Sequence, residues 1–193
     1  MPRTDARGGP QTRAKISQVA TQLFLDRGFD AVTVAEVARE AGVSSVTVFK
    51  HFPRKEDLFL DRTDDAVELL RTAVRDRGTD VLTSLETATM RLVEDRHALS
   101  GLADGSVPFF RTVAASPALI ARAREIAAEL QQTLTEELPE SPLLAAFFIA
   151  GYTTVLVETA RQLIAGTPVD TVAADHRTRL NHLYAALRNG VQV

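Results

Sequence analysis

Residues 33–55 read TVAEVAREAGVSSVTVFKHFPRK, and this stretch decides the local fold. Thr33 and Glu36 have the spacing of a capping box, in which each side chain accepts a backbone N–H from the other residue. Gly42 predicts the end of the helix that follows Thr33, and Ser44 predicts the N-cap of a second helix. Two short helices joined by such a brief turn predict a helix-turn-helix.

The apolar residues of the same stretch support this interpretation. Val37, Ala41, Val43 and Val48 supply the buried positions, and Ala38 is the small residue where the two helices touch. The cap, the turn glycine and both apolar faces agree within about twenty residues, which makes the pattern specific. An ordinary pair of core helices is the alternative, but packing alone would not require both helices to be so short.

The rest of the chain also has helical spacing, with apolar residues three and four positions apart. No strand alternation, internal repeat or low-complexity run interrupts it. We therefore expect an all-α chain of about nine helices: a three-helix N-terminal head, joined by a long helix that begins near Lys55 to a larger helical body. The expected segments are a flexible basic arm at 1–11, the head at 12–54 and the body at 55–193.

The charge of the chain is unevenly distributed. The 193 residues carry 22 Lys and Arg against 25 Asp and Glu, a net charge of −3, which alone argues against a nucleic-acid partner. Residues 1–60, however, contain nine basic and seven acidic residues, whereas residues 61–193 contain 13 and 18. The sequence thus predicts a mildly basic head on an acidic body.

Several classes of function lack any support. The absence of cysteine excludes disulfides, zinc–thiolate sites and thiol nucleophiles. No histidine pair has metal-ligand spacing, and no carboxylate dyad or Ser/His/Asp set is identifiable. We expect neither an enzyme, nor a metal site, nor a cofactor. The first ten residues lack the apolar run of a signal peptide, and the apolar stretch 142–157 is short for a bilayer span. We expect a cytoplasmic protein in which that stretch is a buried helix.

Residues 12–59 resemble the tetracycline-repressor (TetR/AcrR) family of bacterial transcription regulators. The resemblance lies in Arg27-Gly28-Phe29, in Ala-Gly-Val-Ser at the turn, and in Phe-Lys-His-Phe followed by Lys-Glu. It implies a repressor that binds a palindromic operator as a homodimer and is released by a small, mostly hydrophobic ligand. The head would then bind DNA, and the body would bind the effector and dimerise. The alternative is a helical ligand-binding or adaptor protein without sequence-specific DNA binding.

The matching positions imply a set of DNA contacts. They are Thr33, Ser44, Ser45, Val46, Thr47, Phe49, Lys50, His51 and Lys55. Thr33 and Lys55 would contact phosphates, since helix N-termini attract anions. Phe49 stands where the family usually has a tyrosine whose hydroxyl reaches a phosphate, so that hydrogen bond would be absent. With Phe24, Phe29, Phe52 and Phe59, it is expected mostly in the core of the head. His51 would either contact DNA or pack. Val46 offers an apolar contact to a thymine methyl group. The basic arm would either lie against DNA or remain a solvated tail.

The resemblance also implies an effector cavity and a dimer interface in the body. The expected cavity residues are Leu85, Met90, His97, Phe109, Phe110, Val113, Ile120, Tyr152 and Val155, each of which could equally be plain core. The expected interface residues are Ala146, Ala150, Gly151, Thr154, Leu180 and Tyr184, with a purely intramolecular core as the alternative.

Overall fold

The structure, a computed structural model, describes residues 9–75 and 80–189. Within these ranges the chain forms nine α-helices, two 3-10 turns and no strand, which confirms the all-α prediction. The helices are α1 Gly9–Arg27, α2 Val34–Ala41, α3 Ser45–His51, α4 Thr63–Arg75, α5 Val81–Glu94, α6 Ser106–Ala115, α7 Pro117–Glu137, α8 Pro142–Ile164 and α9 Val169–Asn189. Most of the predicted basic arm lies outside the described residues, but Gly9–Gln11 already belong to α1.

The described chain divides into two compact units. The N-terminal unit runs from α1 to Asp61 and also includes Thr112–Arg122, the junction of α6 and α7. The larger unit contains Arg62–Arg111 and Ala123 onward. The division therefore falls inside α6 and α7, and a segment from the middle of the sequence is packed with the first three helices.

The prediction of a long helix that begins near Lys55 is wrong. Only a 3-10 turn, Glu56–Leu58, follows Lys55, and α4 begins at Thr63. Leu58 and Phe59 are both buried, although they are neighbours in sequence, and the Ser17 hydroxyl donates to the Asp61 carboxylate. Leu58 and Phe59 are thus packed in the N-terminal unit, which ends at Asp61, and α4 begins just beyond that boundary.

The core of the larger unit forms where α8 packs against α9, with α5 alongside. Its largest buried residues are Leu85, Phe148, Leu134, Leu180 and Tyr184. Gly151 permits the close approach of α8 and α9, because a Cβ at that position would lie 2.2 Å from Leu183 Cδ1. Among the described residues, α8 is the one helix long and apolar enough to cross a membrane, a test that core helices of globular proteins also pass.

Two pairs of polar side chains are buried in this core. The Tyr184 hydroxyl is 2.9 Å from Thr89 Oγ1, and His176 Nδ1 is 2.8 Å from Thr159 Oγ1. The hydroxyl of Thr159 also lies within hydrogen-bond distance of the Val155 carbonyl. His176 Nε2 is buried without a partner. Burial, together with the charge of Arg179, lowers the pKa of His176 to about 4, so the ring is neutral near pH 7.

We expect His176 to make the protein less stable as the pH falls. The unfolded chain takes up a proton at the ordinary histidine pKa of about 6.5, whereas the folded chain does so only near pH 4. Stability is therefore lost through this window, by about 2 kcal/mol at pH 5. Urea unfolding at pH 7.5 and pH 5 should show a smaller loss for His176→Gln than for wild type. His182→Gln, at an exposed histidine, should keep the wild-type loss; equal losses in both variants would contradict the prediction.

Candidate nucleic-acid interface

The helix-turn-helix begins with the capping box that the sequence predicts. Thr33 Oγ1 accepts the Glu36 N–H at 3.2 Å, and the Glu36 carboxylate accepts the Thr33 N–H at 2.8 Å. Arg27 pairs with the same carboxylate at 2.8 Å. The Thr33 N–H and the Arg27 side chain lower the pKa of Glu36 to about 2. The start of α2 is therefore fixed by reciprocal hydrogen bonds and tied to the end of α1.

The turn between α2 and α3 also follows the sequence pattern. Gly42 has φ 69°, a left-handed conformation that favours glycine, and the Val43 N–H donates to the Ala38 carbonyl at 2.9 Å. Ser44 Oγ accepts the Thr47 N–H at 3.1 Å and lies 2.9 Å from Thr47 Oγ1. Because these two hydroxyls are bonded to each other, the first turn of α3 is rigid.

The outward face of α3 carries both apolar and basic side chains. Val46 is 79% exposed and Phe49 is 49% exposed, while Lys50 is also exposed. Ser45 and His51 are partly exposed on the same short helix. Such a surface is unusual for a helix that only packs, because it leaves two large apolar side chains in contact with water.

The core of the head is aromatic. Phe24, Phe29, Phe52 and Phe59 are buried, and the Phe24 ring lies 4.9 Å from Phe29 and 5.7 Å from Phe59 between centroids. The expectation that Phe49 belongs to this core is wrong. Val48, its neighbour, takes the inward position of α3, and helical geometry then directs Phe49 outward.

Lys55 has a partner inside the head. Its Nζ donates to the Phe29 carbonyl at 2.7 Å and lies 4.2 Å from the Phe29 ring centroid. Partial burial lowers the pKa of Lys55. The ammonium carries three donors, so this hydrogen bond leaves donors for a phosphate, but it also gives Lys55 a role in holding the turn after α1.

We expect Lys55→Ala to lower the stability of the head. The variant removes a charged hydrogen bond and a cation–π contact, together worth roughly 2 kcal/mol. Hydrogen exchange of peptides from α1 and α2 should report faster opening. Lys50→Ala, at an exposed position of α3, should leave the exchange unchanged. The prediction would be contradicted if hydrogen exchange in Lys55→Ala were the same as in wild type. If DNA binding by that variant also depended less on salt, Lys55 would serve as a phosphate contact alone.

The α6–α7 junction is held to the head by polar contacts. Arg122 Nε lies 2.7 Å from Asp57 Oδ1, and the two side chains are only 11% and 17% exposed. The Ser116 hydroxyl donates to Asp30 at 3.1 Å, and Leu119 between them is fully buried. Asp57 also accepts the Arg54 N–H at 3.2 Å. Sequence analysis missed these contacts, because no local pattern signals pairing between residues 65 or more positions apart.

The predicted cavity residues fall in different surroundings. Leu85 and Val155 are buried in the core of the larger unit, so they cannot form an accessible wall in this structure. Val113 and Ile120 belong to the N-terminal unit. The others are partly buried residues of the larger unit, namely Met90, His97, Phe109, Phe110 and Tyr152. The Tyr152 hydroxyl donates to the Leu99 carbonyl at 3.2 Å, and burial raises its pKa.

Half of the predicted interface residues face their own chain. Leu180 and Tyr184 are fully buried, and Gly151 meets Leu183 of α9, so these three serve the intramolecular core. Ala150 and Thr154 are exposed and Ala146 is partly buried. The small residues of α8 thus divide between the α9 contact and an outer face.

The outer face of α8 carries large apolar residues that sequence analysis missed. Leu143 is 68% exposed, Phe147 is 60% exposed and Val157 is 45% exposed. With Ala150 and Thr154 they follow one another at intervals of four, three, four and three residues. This spacing places them on one side of the helix and could have been found in the sequence.

The described residues contain no group of three His, Cys, Asp or Glu side chains placed to hold a metal ion. The charged side chains described above form the ion pairs Arg27–Glu36 and Arg122–Asp57, and Glu36 also caps α2. What the head presents outward is the exposed, partly basic face of α3.

Residues 16–61 match the family described as bacterial regulatory proteins, tetR family. The repressor KstR2 of Mycolicibacterium smegmatis, an HTH-type transcriptional repressor, is 33% identical over 92 residues. This alignment covers 45% of each protein, so the chain matches about half the length of that curated relative.

Two solved structures share the fold over nearly the whole chain. The SmeT–triclosan complex has a TM-score of 0.63 at 16% identity and covers 95% of both chains. Thermus thermophilus FadR, a TetR-family repressor in complex with lauroyl-CoA, has a TM-score of 0.58 at 24% identity, covering 94% of this chain and 95% of FadR. The capped helix-turn-helix lies within residues 16–61, the part of the chain that matches the tetR family of bacterial regulatory proteins, and the two solved structures show that the fold is shared.

Proposed function

We propose that the protein is a transcriptional repressor that binds a palindromic DNA operator as a homodimer and is released by a small, mostly hydrophobic ligand. The observation that carries the proposal is the exposed face of α3, held at a fixed angle by the capping box of α2 and the Gly42 turn. A recognition helix of this kind enters the major groove with its N-terminal residues foremost.

The proposed DNA contacts divide into two kinds. Thr33, Lys50 and Lys55 contact phosphates and set the register, whereas Ser45 and Val46 face base edges. Phe49 and His51 extend the same surface of α3. Ser44 and Thr47 cap α3, as Thr33 caps α2, and these hydroxyl groups keep further hydrogen-bonding capacity for DNA. Net charge on the head is small, so affinity depends on these few contacts and on dimerisation.

The proposed dimer interface is the outer face of α8, occupied by a second copy of the chain. Leu143, Phe147 and Val157 supply apolar area, while Ala150 and Thr154 allow close approach. α9 adds exposed small residues of matching spacing, namely Thr171, Ala174, Thr178 and Ala185. In a two-fold dimer, the large residues of one copy would pack against the small residues of the other. Dimerisation also places two recognition helices roughly 34–36 Å apart, as successive half-sites require.

The proposed effector site lies in the larger unit. Met90, Phe109, Phe110 and Tyr152 are apolar or aromatic and only partly buried, so a ligand could complete their packing. SmeT and FadR are described with triclosan and lauroyl-CoA bound, and these two compounds are suitable first probes. A ligand that binds the DNA-incompetent conformation better releases the operator by shifting the population.

The proposal is tested by selecting duplexes from a random library with the full-length protein at physiological salt. We expect an enriched inverted repeat bound with a dissociation constant of about 10⁻⁸ M or tighter, at least roughly a thousandfold below that for random DNA. Failure to enrich any sequence would favour the alternative, a helical ligand-binding or adaptor protein. A reporter gene behind the selected operator then distinguishes repression from activation. We propose a cytoplasmic location, where the operator is accessible.

A further inference from the structure

We infer that Val46 and Phe49 form an apolar ridge that reads thymine C5-methyl groups on two adjacent base pairs of each half-site. The inference rests on the proposed function, because it assumes that α3 enters the major groove. It goes beyond that function by adding the exposed Phe49 to Val46 as a reader of methyl groups and by assigning the two residues to adjacent base pairs.

The polar side chains at the start of α3 are hydrogen-bonded to one another. Ser44 and Thr47 hold each other at 2.9 Å between their hydroxyl oxygens, and Ser44 also accepts the Thr47 N–H. These bonds fix the positions of the two hydroxyls and use one of their two hydrogens, so one hydroxyl hydrogen remains for a base edge. Polar readout by the first turn is therefore left to Ser45 and to this one remaining donor.

The apolar pair Val46 and Phe49 is exposed on α3. Val46 is the most exposed large apolar residue among those that the structure describes, and Phe49 is half exposed. They are three residues apart, so their side chains are neighbours on one helix face. Val48 is the buried residue of α3. Rotating α3 to bury Val46 and Phe49 would turn Val48 out towards solvent.

The group on DNA that would contact Val46 and Phe49 is an apolar one. Among the base edges that line the major groove, the C5-methyl of thymine is the apolar group. Lys50, exposed next to Phe49, provides positive charge that suits a phosphate backbone rather than an apolar protein partner. Three residues of α-helix rise about 4.5 Å, and base pairs along one strand are roughly 3.4 Å apart. With α3 lying along the groove, the two side chains would therefore contact methyl groups on adjacent base pairs.

The test uses the full-length protein and a duplex that the protein itself enriches from a random library. Each thymine is replaced singly by deoxyuridine, which lacks only the methyl group. We expect two adjacent positions per half-site at which the substitution weakens binding about fourfold, corresponding to roughly 0.8 kcal/mol for one methyl-sized group. Thymines outside the half-sites serve as controls and should tolerate the change.

Two variants assign the methyl groups to side chains. Val46→Ala should bind more weakly and become insensitive to deoxyuridine at one of the two positions, and Phe49→Ala should do so at the other. Circular dichroism and thermal unfolding check that α3 remains folded in each variant. Replacing the same T·A pair by 5-methylcytosine·G should bind more tightly than replacement by C·G, because only the methyl is restored.

Each outcome is decisive. An enriched duplex that tolerates deoxyuridine everywhere overturns the inference and leaves the proposed function intact. Sensitivity that persists unchanged in both variants also overturns it, because another group then reads the methyl. If no sequence is enriched, the proposed function fails first, and the inference fails with it.

Discussion

Replacing Phe147 with glutamate is expected to convert the protein to a monomer and to weaken operator binding by about 100-fold or more. Phe147 is 60% exposed at the centre of the outer face of α8, between Leu143 and Ala150. A carboxylate placed there would have to be desolvated opposite an apolar partner surface. A monomer then binds one half-site at a time and loses the gain from simultaneous engagement.

Analytical ultracentrifugation measures the first effect, and fluorescence anisotropy with the selected operator measures the second. Ala128→Glu is the matched control, since it adds the same charge at an exposed position of α7. It should remain dimeric and bind normally. A Phe147→Glu protein that stays dimeric at micromolar concentration would show that the interface lies elsewhere.

Arg122→Ala is expected to destabilise the N-terminal unit by about 2–3 kcal/mol. Removing one member of a buried ion pair leaves the other charge without compensation, at a typical cost of roughly 3–5 kcal/mol. The Arg122–Asp57 pair keeps some exposure, 11% and 17% for the two side chains, which lowers the expected value. The loss should be local, because Asp57 sits in the turn that follows the helix-turn-helix.

Hydrogen exchange of peptides from α1 to α3, with and without urea, measures this effect. Arg124→Ala, an exposed arginine of the same helix, should behave as wild type. Arg122→Met separates the charge from the packing of the side chain, and should be almost as unstable as Arg122→Ala. Equal protection in Arg122→Ala and Arg124→Ala would mean that the ion pair contributes nothing to the head.

The helix-turn-helix of the head was predictable from local sequence patterns, although the outward position of Phe49 was not. Thr33, Glu36, Gly42 and Ser44 act through hydrogen bonds and backbone angles that involve neighbours within five positions, and the structure has each of them in the predicted place. In the body, Pro117 and Pro142 stand at the first residues of α7 and α8, a position that proline favours, whereas the turn between Lys55 and α4 was not predicted. Local interactions of this kind need no knowledge of the rest of the chain.

Only the tertiary structure decided which apolar residues face inward. Leu180 and Tyr184 belong to the intramolecular core, whereas Leu143 and Phe147 are exposed, although all four are apolar or aromatic residues of long helices. Periodicity predicts that a helix has an apolar face, but not which neighbour covers it. The same reason applies to Asp57 and Arg122, whose pairing depends on the path of the chain over 65 residues. Sequence fixed the recognition motif because its physics is local, and the packing of the chain decided the surfaces on which dimerisation and release depend.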